Sequence, residues 1–467
     1  MFLIAGTSLS QSLTPKEQLG KLIFFDANLS TPTGQSCATC HGPQVGFTGP
    51  DSYVNNTTVV YPGAVPTRFG NRKPPAASYA GSSPIFYLDK KGKLFIRGMF
   101  WDGRATGWEL GDPLAEQARG PFLNPMEQNN ASPQVVVDKI HYESSYATLF
   151  EQVYGTTIWS DVTNAYNKVA DAIAAYERSS EVNPFTSKYD FYLKKMVKLS
   201  KEEQKGLNLF RGKGKCEKCH ISKPGPHGEP PVFTDFTYDN LGLPKNPANP
   251  FYIEHPEFID LGLGEFLEST SEYSEYAAAN YGKHKVPTLR NIDLRPSPDF
   301  VKAYGHNGYF KSLKAIVHFY NTRDVETWPP PEVLENMNTA ELGDLKLTSK
   351  DEDAIVAFLK TLSDGYAIPG GSLNSPTSIN ESNVSLQNAP NPFNPTTVIS
   401  FNLPAANFVT LKVYNTIGQE VTTLLNGYQQ PGLKSVTFNA KMLSSGMYFY
   451  RLQIGNTMFQ NKMLLIK

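Results

Sequence analysis

Two short runs carry most of the chemistry open to this chain: CATCH, with Cys37, Cys40 and His41, and CEKCH, with Cys216, Cys219 and His220. In each, two thiols stand two residues apart and an imidazole follows at once. That spacing lets both sulfurs form thioethers to one porphyrin while the histidine ligates its iron, the mark of covalently attached c-type haem. A lone CxxC reads as well as half a zinc site or a redox dithiol. A four-cysteine zinc site would have to join pairs far apart in the chain and would leave both histidines unexplained. A thioredoxin-like dithiol needs βαβ surroundings, and these flanks read as helical. All four cysteines lie in the two motifs, so none remains for a disulfide.

An iron held by His41 or His220 has a second face. What occupies it separates an electron carrier from an enzyme. Haem irons accept His, Met, Tyr or Cys there. The second half offers Tyr320 and His318 in LKAIVHFYN, His306 in AYGHNGYF, and also Met337, His284, His255 and His227. Each has an ordinary alternative as a core aromatic, a gap filler or a loop residue. Between Gly42 and Trp101 there is no histidine, and Met99 is the one methionine. A polar and aromatic passage follows, with Trp101, Trp108, Glu109, Glu116 and Glu127. Its Arg97, Arg104 and Arg119 could hold haem propionates, although a single arginine is more often a surface charge.

These residues need elements to position them, and the chain supplies them twice. LTPKEQLGKLIFF precedes the first motif and LSKEEQKGLNLF the second, with Leu, Glu, Gln, Gly and Phe coinciding without gaps. Each reads as a helix start with a capping box, Thr14 with Glu17 and Ser200 with Glu203. Pro15 falls at the first helical position, where proline is tolerated. VADAIAAYERS and EDAIVAFLKT repeat as closing helices. Leader helix, CxxCH, excursion and closing helix make a c-type cytochrome domain, so two are expected in tandem, over 13–183 and 184–365. The fold class is therefore mainly α. A Gly/Pro/Ser/Asn-rich linker spans 366–383. From 384 to 467 the pattern has period two, as in TTVISFNL, FVTLKVYN, LKSVTFNA, GMYFYRLQIG and QNKMLLIK, which predicts a small all-β immunoglobulin-like sandwich. It holds no Cys or His and one Glu, so no chemistry is expected there.

Net charge is −1, from 43 basic and 44 acidic residues, which argues against nucleic acid or an anionic membrane as partner. No stretch is long and apolar enough for a transmembrane segment. Residues 1–12 read as the remnant of a secretory signal or as an ordinary frayed terminus.

On CATCH, FWDGRA, AEQARGPFLNPME, CEKCH, VPTLRNID, YGHNGYFKSL and IVHFYN, in that order over 13–365, the chain resembles the bacterial di-haem cytochrome c peroxidases. Within that family it looks most like the branch of the methylamine dehydrogenase maturation enzyme. The resemblance implies reduction of hydrogen peroxide with electrons from a small donor such as a monohaem cytochrome c. It implies two haem c groups, a peroxidatic one on His41 and an electron-transfer one on His220. Trp101 would lie between the haems, Glu127 would be the pocket carboxylate, and Gln117 and Pro121 would line the same pocket.

Two departures matter. The family's usual distal histidine between the first CxxCH and FWDGR is missing, so the far side of the His41 haem is expected to be open. Tyr320 stands where most members carry a methionine, and tyrosinate favours ferric iron. An inserted RPSPDFV before His306, and Lys73 in place of an Asn, depart from the family's inter-haem calcium pattern, so calcium stays an open expectation. Two other functions stay open. One is a peroxide-dependent oxidase of a protein or small molecule, and the other a surface electron-transfer cytochrome. The sandwich resembles the C-terminal sorting domain of type IX secretion substrates through NAPNPFNPTTVISFNLP, VYNTIGQEV and SGMYFYRLQIG. That implies a periplasmic or exported, cell-surface or extracellular protein. An accessory immunoglobulin-like module is the plainer alternative.

Overall fold

The computed structural model describes residues 13–369 and 384–467, apart from 404–406, 417–418, 430–431 and 455–456. The signal-remnant reading of 1–12 and most of the expected linker lie outside the described residues. The chain divides into two compact units, Met1–Ile368 and Pro369–Lys467. Among the described residues no helix is long and apolar enough to cross a membrane.

Six helices frame the first unit: α1 (Pro15–Phe25), α2 (Pro113–Leu123), α3 (Val162–Arg178), α4 (Lys201–Arg211), α5 (Leu313–Thr322) and α6 (Ser349–Lys360). The capping boxes form as the sequence predicts. Thr14 accepts from the Glu17 amide while Glu17 accepts from the Thr14 amide, and Ser200 and Glu203 do the same. Each box satisfies two of the amides that a helix start leaves without partners.

Helix α1 crosses α3, and α4 crosses α6, each pair beside one CxxCH. Both crossings turn on the repeated glycine. A Cβ on Gly20 would stand 1.8 Å from the Ala172 carbonyl oxygen, and one on Gly206 would stand 1.9 Å from that of Ala354. Only hydrogen fits there, so the backbones touch. Below each crossing an aromatic pair closes edge to face. Phe24 and Tyr176 have centroids 5.5 Å apart, and Phe210 and Phe358 are 5.2 Å apart. The two halves thus bury separate cores built on one plan.

They also meet each other. Tyr79 donates its hydroxyl to Asp364 at 2.7 Å, and the Arg72 guanidinium grips Asp260 through two 2.7 Å bonds.

Among its described residues the second unit has seven strands: β1 (Leu386–Ala389), β2 (Thr396–Leu403), β3 (Asn407–Tyr414), β4 (Glu420–Gln429), β5 (Gly432–Asn439), β6 (Gly446–Ile454) and β7 (Thr457–Leu465). They form an antiparallel sheet in the order β7-β6-β3-β4 and another in the order β1-β2-β5. Ile399 and Phe401 from one sheet share a core with Leu411, Val413 and Leu452 from the other. Period-two alternation shows five of these strands in the sequence. Strand β4 escapes it because its pairing with β3 slips between Leu411 and Lys412 and again between Val413 and Tyr414. Such irregularities break the alternation that marks a strand.

Candidate active site

Each CxxCH sits at the wall of a cavity. Around Cys37, Cys40 and His41 the space is about 660 Å³, and around Cys216, Cys219 and His220 about 1310 Å³. His41 Nδ1 donates to the Phe47 carbonyl at 3.0 Å, and His220 Nδ1 donates to the Phe233 carbonyl at 2.8 Å. A carbonyl only accepts, so the proton is on Nδ1 and the Nε2 lone pair is free for iron. Both phenylalanines have positive φ, 55° each. That strained backbone aims the carbonyl at the ring. Sequence reading missed this pair. A signal was present, because each is followed by threonine, and Thr48 and Thr234 both donate to a backbone carbonyl.

Helix α2 lays Leu114, Gln117, Ala118 and Pro121 along the first cavity, at the i, i+3, i+4, i+7 spacing of one helix face. Pro121 lies in the last turn of α2, near its C-terminal end. Glu127 joins this wall from the turn after α2. Asn124 Nδ2 donates to its Oε1 at 2.6 Å, and burial pushes the carboxyl up from its usual range. From α3 come Ile173 and Glu177, one turn apart. Sequence reading did not single out Glu177. Burial pushes its carboxyl up to about 8, and its Oε2 has no hydrogen-bond partner. The available signal was a lone Glu on the face of α3 that carries Val169 and Ile173. Among the described residues no histidine other than His41 lines this cavity, and Met99 lines it.

Segment 99–101 separates the two spaces. Met99 and Phe100 face the first and Trp101 the second. Trp101 is 8% exposed, and its indole N–H donates to the Lys73 carbonyl at 3.0 Å. Helix α5 lays Leu313, Ile316, Val317 and Tyr320 along the second cavity, again one face. Tyr320 and His220 line the same space. Burial holds the free Tyr320 phenol well above its ordinary value.

Of the other candidates, His284 and His306 also line the second cavity, with their rings stacked 3.5 Å apart. His318 turns away, to Glu352 at 2.9 Å and Glu326 at 3.1 Å. His284, His306 and Asp260 are close enough to suggest a metal site. Arg72 already occupies the Asp260 carboxylate, and two parallel rings cannot aim lone pairs at one ion. Arg119 pairs with Glu109, Arg104 with Asp102, and the Arg97 guanidinium lies over the Tyr87 ring. None of the three lines either cavity.

The donor set fits haem. Buried polar atoms without partners gather at these walls: Gln35 Oε1, Gln128 Oε1 and Glu177 Oε2 at the first, His306 Nε2 at the second. Such orphans are costly unless a group of the right chemistry meets them. Leucine, isoleucine and valine supply thirteen of the 32 residues that line the second cavity, which suits a porphyrin face.

Residues 14–198 match the family model for di-haem cytochrome c peroxidase. Over 363 residues the chain is 34% identical to the methylamine utilization protein MauG of Paracoccus denitrificans, covering 74% of this chain and 88% of that protein. The chain belongs to the di-haem cytochrome c peroxidase family. Among solved structures, the diheme peroxidase BthA from Burkholderia thailandensis superposes with a TM-score of 0.64 at 30% identity, covering 76% of this chain and 88% of that one. A cytochrome c551 peroxidase of Nitrosomonas europaea is 29% identical over 359 residues, covering 75% of this chain and 82% of that protein. As a member of this family the protein is an oxidoreductase with two haem c groups. Residues 389–467 match the secretion system C-terminal sorting domain, which marks this peroxidase relative as an exported protein.

Proposed function

We propose that the protein reduces hydrogen peroxide to water at the His41 cavity, using electrons that enter at the His220 cavity from a small redox protein. The observation that carries this reading is Glu127, a buried carboxyl raised in pKa on the wall of a cavity that has no second histidine. The haem bound through Cys37 and Cys40 supplies the redox-active iron at which peroxide is reduced.

The chain's own residues do the rest. Asn124 holds Glu127 Oε1, which leaves Oε2 to exchange a proton. Glu127 takes the proton from one peroxide oxygen and returns it to the other, which leaves as water. Two electrons and two protons then give two waters in all. Gln117 and Pro121 shape the pocket and restrict what enters. Trp101, fixed by the Lys73 carbonyl between the cavities, relays the electrons. Tyr320, which lines the same space as His220, would be a further protein ligand to the haem held there.

Proton transfer by a placed side chain contributes about 10²–10⁴-fold. Glu127→Gln should therefore cut peroxide turnover by about that factor while ferric EPR stays unchanged. Unaltered turnover would remove Glu127 from the mechanism. The EPR of the parent tests the rest. One high-spin and one low-spin haem in equal amounts are expected, and two low-spin haems would mean that a side chain closes the first iron.

A second reading is oxidation of a protein or small molecule by the same machinery. Tyr320 in the second cavity favours it, together with the 34% identity to a methylamine utilization protein. Peroxide consumption that needs an added organic substrate, and not a reduced cytochrome, would select it. Export through the sorting domain would place either activity at or beyond the cell surface.

A further inference from the structure

The two departures from the family's calcium pattern, Lys73 and the insertion before His306, come together in space. A narrow cleft lies between the haem halves, and Lys73 and Lys302, the residue directly after the insertion, both wall it. Thr48, Asn55 and Pro74 are also part of the wall, and no carboxylate is. Calcium asks for about six to eight oxygens, carboxylates prominent among them.

Here the oxygens already have a cation. Lys302 is 4% exposed, and its Nζ donates to the carbonyls of Val45 at 2.8 Å, Asn291 at 2.9 Å and Leu294 at 3.0 Å. One carbonyl comes from the first haem half and two from the second. Gly46 makes this approach possible. It has φ 76°, and a Cβ on it would stand 2.5 Å from Asn291 Cβ. Lys73 Nζ donates to the Pro74 carbonyl at 3.0 Å and to Thr48 Oγ1 at 3.4 Å, 5.9 Å from the centre of the Trp101 ring.

Among the described residues neither amine forms an ion pair. Asp293, the carboxylate that acts on Lys302, is bonded to Arg295. Burial pushes both lysines down in pKa. Three acceptors around one Nζ nevertheless need three protons, and only the ammonium has them. A buried cation without a counter-charge is costly, and mutual repulsion adds to the cost. A calcium ion placed beside these two would meet two like charges and carbonyls already engaged.

We propose that Lys302, with Lys73 beside it, replaces a divalent cation at the seam. Its ammonium gathers carbonyls from both halves and holds the two haem cavities together without calcium.

The test uses the purified protein with both haems attached, dialysed against EGTA and then supplied with millimolar calcium. Metal content, ferric EPR and melting temperature are read at each stage. We expect no stoichiometric calcium before dialysis and no change in spectrum or melting afterwards. One calcium per chain, or a change on chelation that calcium reverses, would overturn the proposal. Lys302→Met should lower the melting temperature by several degrees and disturb the haem EPR. An unaltered variant would equally overturn it. Should that variant fail to assemble, Lys73→Met at the cleft wall remains informative. Loss of its charge should lower the haem midpoint potentials, and unchanged potentials would count against the assignment.

Discussion

Glu127 and Glu177 wall one cavity, but Glu127 Oε1 accepts from Asn124 while Glu177 Oε2 is buried with no partner. Glu177 is therefore the sharper probe of burial. Its carboxyl is pushed up to about 8 from 4.5, chiefly by burial. The folded chain keeps a proton there that the unfolded chain gives up. Stability should therefore fall as pH rises from about 4.5 to about 8, by up to ~1.4 kcal/mol per pH unit, and level off above. Glu177→Gln has no such proton to lose. Urea unfolding of parent and variant at pH 5 and pH 8 should show the parent losing about 2–4 kcal/mol relative to the variant. Equal losses would mean that Glu177 is solvated. Tyr320 gives a second test at this scale. Phenolate favours ferric iron and methionine raises the potential. Tyr320→Met should therefore move the midpoint of one haem upward in spectroelectrochemical titration. A midpoint that does not move would mean that Tyr320 is not a ligand.

The helix crossings put the same logic into elements. Gly20 and Gly206 leave no room for a methyl group, because the obstacle is the backbone of Ala172 or Ala354. Gly206→Ala should destabilise by at least about 1–3 kcal/mol, the usual cost of overpacking. It should also loosen the Phe210–Phe358 contact below. A melting temperature equal to the parent's would show that the helices can part at no cost. Much of this was legible in the sequence. Leader helices, capping boxes and the paired glycines declare themselves through residue types at fixed offsets. The Phe47 and Phe233 carbonyls, and the three carbonyls around Lys302, do not. A backbone acceptor has no residue type, and its use depends on chain segments brought together only by folding. Likewise which faces of α2 and α5 meet which cavity came only with the structure. Glu177 fell between the two. It lies on a helix that the sequence revealed, facing a space that the sequence could not reveal.

The whole molecule is two units with separate cores. Removing 384–467 should therefore leave the melting of the haem unit and its peroxide turnover as they were, while the truncated protein no longer reaches the outside of the cell. Calorimetry on the purified pair and fractionation of expressing cells would read both. A haem unit that melts lower without the sandwich would show that the two units support each other. Within the first unit the opposite holds. Tyr79 with Asp364, Arg72 with Asp260 and Lys302 with Val45 tie the two haem halves together. Damage on one side of that seam should be felt at both haems.

The four cysteines are partly buried in these walls. Burial pushes Cys40 and Cys216 up to about 12, and raises Cys37 and Cys219 as well. A chain folded without porphyrin would hold them as neutral thiols, which are poor nucleophiles. Attachment must therefore come while the chain is still open, and closure around the cofactor afterwards. For an exported protein that orders assembly: loading first, closure of the fold after it. What closes is then a coloured, redox-active body, and not a string of residues awaiting its haems.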